Sequence, residues 1–238
     1  MPRRVEISVV VPAFNEERYI RNVLKGLRSQ TFRDFETIVV DRNSEDATRE
    51  IAKKHGALVI IEPRKGIGLA RNTGARQAKG KVIFFTNADT KPSRNLLKIY
   101  ADLFDGDKKI VAASGPLLPL ESTTWFIRFG YWFASVCLAK LSFWLGMPAI
   151  SGSNFAVRRS AFEKAGGFNE AFETYEDLDL SGRLKKLGKV VFVDEARVQT
   201  SVRRIKRWGL ARYIMFNAGN VVSYNLFKRP KSNYEEVR

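Results

Sequence analysis

Apolar and polar positions fall in blocks along this chain, and the period of the blocks changes as they go. Val5-Glu6-Ile7-Ser8-Val9-Val10-Val11 is a β-branched run closed by Pro12, the pattern of a strand buried in a parallel sheet. From Glu16 to Ser29 the apolar residues Tyr19, Ile20, Val23, Leu24 and Leu27 recur at helical spacing. Phe35 to Val40 predicts a second strand, closed by Asp41, and Ser44 or Asp46 is placed to cap a helix running to about His55. Leu58 to Ile61 predicts a third strand. Ile67 to Ala78 predicts a helix stopped at Gly80. Val82 to Phe85 predicts a fourth strand that runs directly into Asn87-Ala88-Asp89. Strands alternating with helices build βαβ units. The expected class is therefore α/β, with a Rossmann-like, mostly parallel central sheet flanked by helices. Ligands of such sheets bind beyond the carboxyl ends of the strands. Three polar clusters stand at such ends: Asn15-Glu16, the loop from Asp41 through Asn43 to Thr48, and Asn87 to Thr90. The rule puts all three on one rim.

After Gly115 the pattern changes. Trp125 to Met147 is strongly apolar and holds three of the four tryptophans, interrupted by Arg128 and Lys140. The uncharged stretch between those two is shorter than the roughly 20 residues a membrane-spanning helix needs. A buried helix pair is one reading. The other is an interfacial helix with Trp and Tyr at headgroup level, which the density of aromatics favours. Gly152 to Val157 reads as a short strand or loop, Ser160 to Ala165 as a helix ending at Gly166-Gly167, Glu176 to Leu187 as a helix ending at Gly188, and Lys189 to Val193 as a strand. From Arg203 onward Arg203, Arg204, Lys206, Arg207 and Arg212 interleave with Ile205, Trp208, Leu210, Tyr213, Ile214 and Phe216, a basic amphipathic segment. The expected organisation is one domain over 1–200, with halves of about 1–115 and 116–200, and a basic segment over 201–238 packed on it.

Composition narrows the chemistry. Lys and Arg number 41 against 25 Asp and Glu among 238 residues, a net charge of +16, which attracts polyanions such as nucleic acid, anionic lipid or phosphorylated substrates. No helix-turn-helix or RNP-type aromatic strand accompanies that charge, so no nucleic-acid partner is expected. Cys137 is the single cysteine and His55 the single histidine. Disulfides, Ser-His-Asp triads and multi-histidine zinc sites are thereby set aside. Acid-base work falls to carboxylates, Lys or Tyr. Met1-Pro2-Arg3-Arg4 lacks the apolar run of a signal peptide, and the expected location is cytoplasmic, peripheral on the inner face of the cell membrane.

Several segments in order resemble one family. Val11-Pro12-Ala13-Phe14-Asn15-Glu16-Glu17 is similar to the opening signature of the family 2 glycosyltransferases. Ser29-Gln30-Thr31-Phe32, Val39-Val40-Asp41 with Ser44, Asp46 and Thr48, and Ala70-Arg71-Asn72-Thr73-Gly74 resemble its next blocks. Asn87-Ala88-Asp89-Thr90 stands where the family keeps Asp-x-Asp. Ser151 to Arg159 resembles the acceptor-side block, and Glu176-Asp177-Leu178-Asp179-Leu180 the block that holds the catalytic base. The resemblance covers about residues 5 to 195. It implies a GT-A fold and an inverting, metal-assisted transfer of a sugar from a UDP- or GDP-sugar to an acceptor hydroxyl or lipid phosphate.

The resemblance also assigns roles. Asp177 would be the general base, with Glu176 beside it. The donor would lie against Pro12, Ala13, Phe14, Glu16, Asp41, Asn43, Arg71, Asn87, Ala88 and Asp89. Asp41 would face the nucleobase, where a carboxylate can accept from uracil or from guanine. Arg71 would pair with phosphate or orient Asp89. Mg²⁺ or Mn²⁺ would bind Asp89 and bridge the diphosphate. Asn87 departs from the family's aspartate, and Val198-Gln199-Thr200 offers Gln199 as a weak ligand where many members carry a histidine. Ser153, Asn154, Arg203 and Arg204 would serve the acceptor, a glycan or a lipid-linked sugar or polyprenyl phosphate. Basic residues at an anionic bilayer contribute roughly 1 kcal/mol each, so the C-terminal cluster also points to peripheral membrane contact. The competing expectations are a nucleotidyltransferase, disfavoured by the absence of glycine from Val11 to Glu17, and a catalytically impaired relative that binds polyanions or membranes.

Overall fold

The computed structural model describes residues 5–209 together with Arg212, Tyr213 and Met215; Leu210, Ile214 and Phe216 of the basic segment lie outside the described residues. The first half runs β1 (Ile7–Ala13), α1 (Ile20–Arg28), β2 (Phe35–Asp41), α2 (Thr48–Lys54), β3 (Leu58–Ile61), α3 (Ile67–Gln77) and β4 (Val82–Phe85), as the hydrophobic pattern predicts. It continues with β5 (Thr90–Pro92), α4 (Leu96–Gly106), β6 (Ile110–Ser114) and β7 (Leu117–Pro119). The second half contains α5 (Trp125–Trp132), a π-helical stretch (Phe133–Leu138), α6 (Ala139–Trp144), β8 (Phe155–Arg158), α7 (Arg159–Lys164), α8 (Glu176–Lys185), β9 (Lys189–Phe192), β10 (Val198–Thr200) and α9 (Arg203–Trp208).

Seven strands form one sheet in the order β3-β2-β1-β4-β8-β6-β9. β1 lies parallel between β2 and β4, and β3 is parallel to β2. β8 runs antiparallel to both β4 and β6, while β9 is parallel to β6. The centre of the sheet is buried on both faces, which is why β1 reads as a continuous apolar run. Val9 and Val11 pack with α1 and α4 residues such as Leu24 and Tyr100. Val10 faces the other layer with Ile38, Ile83 and Phe85. The one polar residue in the run, Ser8, is buried and bonded: its hydroxyl donates to Glu36 (2.6 Å) and accepts from Gly80 N (2.8 Å).

Two features differ from the sequence reading. A second sheet, β5-β10-β7, stands beside the rim, and its β10 places α9 over the end of β4. The predicted cap of α2 is also different. Residue Ala47 directly precedes the helix and does not cap it; Asp46 Oδ1, one residue earlier, accepts from Thr48 N (3.0 Å) at the helix start, while Asp46 Oδ2 and Ser44 Oγ also fasten the loop after β1.

Helix α5, the π-helical stretch and α6 contain no buried residue. Trp125 is 66% exposed, Phe126 71% and Trp144 82%, so the buried helix pair is not what forms. The inward side is anchored by Ser135, whose hydroxyl donates to Leu117 O (2.7 Å), by the Lys140–Asp194 ion pair (2.7 Å) and by an edge-to-face contact of Phe143 with Phe192. Among the described residues no helix is long and apolar enough to cross a membrane.

Candidate functional site

Because β2, β1 and β4 are adjacent and parallel, their carboxyl ends share one rim, and the three polar clusters meet there as expected. The loops after β1 and β2 interlock. Asn15 N donates to Ser44 Oγ (2.9 Å), Glu45 N to Asn15 Oδ1 (2.9 Å), Glu16 N to Thr48 Oγ1 (2.8 Å) and Glu17 N to Asp46 Oδ2 (3.1 Å). Asp46 and Thr48 therefore do more than end a helix. Asn15 and Asn43 both take positive φ, 52° and 58°, a region asparagine tolerates better than most residues. Asp41 closes β2 and is fully buried. Its carboxylate accepts from Ser44 N (2.8 Å) and Ser44 Oγ (2.5 Å), with Arg49 at 3.7 Å. With no surface exposed, it holds the Ser44 loop in this arrangement rather than presenting an edge to the rim. The side chains of Ala13 and Ala88 pack in the core, leaving their backbone to the rim, while Phe14 lies beneath the Arg42 guanidinium (3.7 Å).

Arg71 differs from its expected role. It is buried, pairs through Nη1 with Glu176 and donates through Nη2 to Asn87 Oδ1 (3.1 Å), so it orients Asn87 and α8 rather than Asp89. The cause is its place in α3, under the Ser151–Asn154 loop: a side chain at Gly152 would collide with its guanidinium. Asn87 in turn donates to Ser153 Oγ (2.8 Å), and Thr86 Oγ1 donates to Ser153 O (2.9 Å). Ser153 is thus on the rim. Asn154 is not: it is fully buried, accepting from Tyr100 OH (2.7 Å) and donating to Ala196 O (2.7 Å). Neighbouring residues at the start of a strand point to opposite faces, so the acceptor role expected for Asn154 gives way to a structural one.

The two carboxylates at the start of α8 separate in the same way. Tyr175 sits at φ 63° and turns the chain so that Glu176 points inward and Asp177 toward the rim. Burial, and the charge of Asp177, raise Glu176 to about 7 against the pull of Arg71. Asp177 is half-buried, and its Oδ2 accepts from Gly152 N (2.8 Å). Of the pair, Asp177 is the one a substrate could reach.

At the end of β4, Asp89 faces Arg203 Nη2 at 3.2 Å. Arg203 also takes both oxygens of Glu16, at 2.9 and 2.5 Å, and lies over the Tyr19 ring (4.8 Å). Burial raises the Asp89 carboxyl pKa, with Arg203 and Arg204 pulling it down. Arg203 and Arg204, expected on the acceptor side, are thus beside the donor-side carboxylate. Gln199 pairs across the small sheet with Lys91; Arg203, four residues on, is what reaches Asp89. Two further residues carried no sequence signal. Glu121 accepts from Ser201 Oγ (2.5 Å) and Val202 N (2.9 Å), fixing the start of α9. Tyr131, half-buried on α5, is near enough to Tyr213, Arg204 and Asp89 to interact with them electrostatically. Among the described residues no three His, Cys, Asp or Glu side chains form a metal-binding group. Asp89 is committed to an arginine and the Asn87 oxygen to another, so as arranged these residues do not fit a divalent ion.

The architecture agrees with known proteins. Probable glycosyltransferase YdaM of Bacillus subtilis (strain 168) is 30% identical over 199 residues, which cover 77% of this chain and 47% of that protein. Glycosyltransferase AglE of Haloferax volcanii is 33% identical over 100 residues, 39% of this chain and 33% of that one. The chain therefore spans about half or less of the length of these relatives. Among solved structures, mannosyltransferase PcManGT from Pyrobaculum calidifontis, in complex with GDP-Man and Mn²⁺, matches with a TM-score of 0.73 at 21% identity, over 97% of this chain and 66% of that one. S. aureus TarS in complex with UDP matches with a TM-score of 0.65 at 20% identity, over 86% and 62%. These likenesses show a GT-A fold. The model of glycosyl transferase family 2 matches residues 8–166, the greater part of the sequence, and the chain belongs to that family of transferase enzymes.

Proposed function

We propose that the protein transfers a sugar, with inversion, from a UDP- or GDP-sugar to an acceptor presented at a membrane surface, either the hydroxyl of a lipid-linked glycan or a polyprenyl phosphate. Two neighbours in the fold hold UDP and GDP-Man, and the rim built from Asp41, the Asn15–Glu16 turn and Asp89 lies where a GT-A sheet receives its ligands. With a hydroxyl acceptor, Asp177 takes the acceptor proton as the oxygen attacks the anomeric carbon. The bond from that carbon to the diphosphate breaks on the opposite face and the nucleoside diphosphate leaves with the electron pair. A phosphate acceptor is already ionised and needs only to be positioned. The expected Mg²⁺ or Mn²⁺ would reach Asp89 only if its carboxylate were released from Arg203.

The observation that supports the membrane part is the exposed aromatic ridge of α5 and α6, whose Tyr131 is near enough to Asp89 to interact with it electrostatically. A ridge of Trp and Phe flanked by basic residues is the pattern of an interfacial helix, and here it borders the site. A transfer assay with UDP- and GDP-sugars tests the reading, using polyprenyl phosphate and lipid-linked glycans in anionic vesicles. One donor should give a glycosylated lipid of inverted anomeric configuration. With a hydroxyl acceptor, Asp177→Asn should lower turnover by about 10²- to 10⁴-fold while donor binding stays. Transfer confined to water-soluble glycans would remove the membrane part, and full activity of Asp177→Asn on a hydroxyl acceptor would remove the base.

A further inference from the structure

Three departures from the expected metal site meet at one point. Asn87 replaces a carboxylate, and its side chain is already bonded to Arg71 (3.1 Å) and Ser153 (2.8 Å). β10 supplies Gln199 and no histidine, His55 being the only one in the sequence. The remaining carboxylate, Asp89, faces Arg203 at 3.2 Å. The group that faces Asp89 in this structure is therefore a side chain of the protein itself.

We propose that Arg203 is a donor-binding residue that supplies the positive charge for the donor diphosphate in place of a divalent ion, and that Asp89, Glu16 and Tyr19 are the positioning residues that hold it there. The inference rests on the nucleotide-sugar reading of the same site. All three partners of Arg203 belong to the donor half. Glu16 and Tyr19 follow β1, and Asp89 follows β4. An arginine fixed from three sides within the rim is a preorganised set of N–H donors, its charge shared with the Glu16 and Asp89 carboxylates. Its guanidinium has five N–H donors, of which the two carboxylates engage at most three, and its planar fork suits phosphate oxygens. Arg204, next in α9 and close enough to Asp89 for their charges to interact, is the second guanidinium that balances the Glu16 and Asp89 carboxylates. The start of α9 is itself pinned by Glu121 through Ser201 Oγ (2.5 Å) and Val202 N (2.9 Å), so the pair sits on a fixed turn.

The test is calorimetric binding of UDP and GDP, and of uridine and guanosine, to the whole protein in EDTA and again with Mn²⁺. Wild type, Arg203→Gln and Arg203→Lys are compared, with thermal unfolding as the check on folding. Wild type should bind one of the two diphosphates in EDTA nearly as tightly as with Mn²⁺. Arg203→Gln should weaken that diphosphate by about 10- to 100-fold, the loss of a hydrogen bond to a charged group, and leave the matching nucleoside unchanged. Arg203→Lys should recover part of the loss. A merely structural arginine would weaken nucleoside and diphosphate alike. The proposal is overturned if wild-type binding vanishes in EDTA and returns with Mn²⁺, or if Arg203→Gln binds the diphosphate as wild type does. If neither nucleotide binds under either condition, the donor reading itself fails and takes this inference with it.

Discussion

Adjacent residues of the same type do different work at this site because the backbone sends them to different places. Glu176 points into the protein against Arg71, and Asp177 stays on the rim with Gly152 N. The left-handed Tyr175 before them sets that division. A third carboxylate shows the electrostatic side of the same point. Glu62 accepts a bidentate pair from Arg64 (2.8 and 2.7 Å) and a bond from Thr73 (3.1 Å). Those bonds, Arg64 first, hold it near 2 rather than its ordinary 4.5, against a smaller opposing effect of burial. A depressed carboxyl stabilises the fold above its unfolded value and loses that contribution as pH falls toward the folded one. Stability should therefore drop between about 4.5 and about 2 from this group, and Glu62→Gln should flatten that part of the acid limb in urea unfolding followed against pH. An unchanged acid limb would show that the pair contributes nothing.

At the scale of elements, close packing is the rule that single substitutions would expose. α3 crosses β1 and β2 at Gly74, where an added methyl group would meet Val10 and come within 3.0 Å of Val40 Cγ2. Gly74→Ala should therefore cost about 1–3 kcal/mol by overpacking despite alanine's better helix propensity, read as a lower thermal midpoint. A raised midpoint would mean that α3 lifts off the sheet without penalty. The elements β1 to β4 and α1 to α3 were legible because each buries a long apolar pattern whose period is local. The small sheet was not. Its strands are three residues each, too short to show a period, and they pair residues about a hundred positions apart. The same limit hid the Arg203–Asp89 contact, and a motif match to the acceptor block could not tell that Ser153 faces the rim while Asn154 faces Tyr100.

For the whole molecule, the positive balance and the aromatic ridge act together. A net charge of +16 draws the protein toward an anionic surface over about 8 Å at physiological salt, and the ridge offers apolar area once contact is made. On the proposed reading, wild type should float with anionic vesicles at low salt, and a Trp125→Ser, Trp144→Ser double variant should be largely left behind while retaining its fold. Equal flotation of the two would leave charge as the sole attraction and remove the ridge from the account. Residue patterns announced both features; what the structure adds is that Tyr131, within the ridge, lies near enough to Arg204 and Asp89 to interact with them electrostatically.

The interlocked loops after β1 and β2 also have a kinetic meaning. Asn15, Ser44, Asp46 and Thr48 already hold one another through backbone and side-chain bonds, so on the proposed reading an arriving nucleotide meets these two loops already ordered. Encounter on such a rim is governed by diffusion and charge. Discrimination among nucleotides then falls on how long each one stays, so wrong donors should be rejected by fast departure rather than by slow entry.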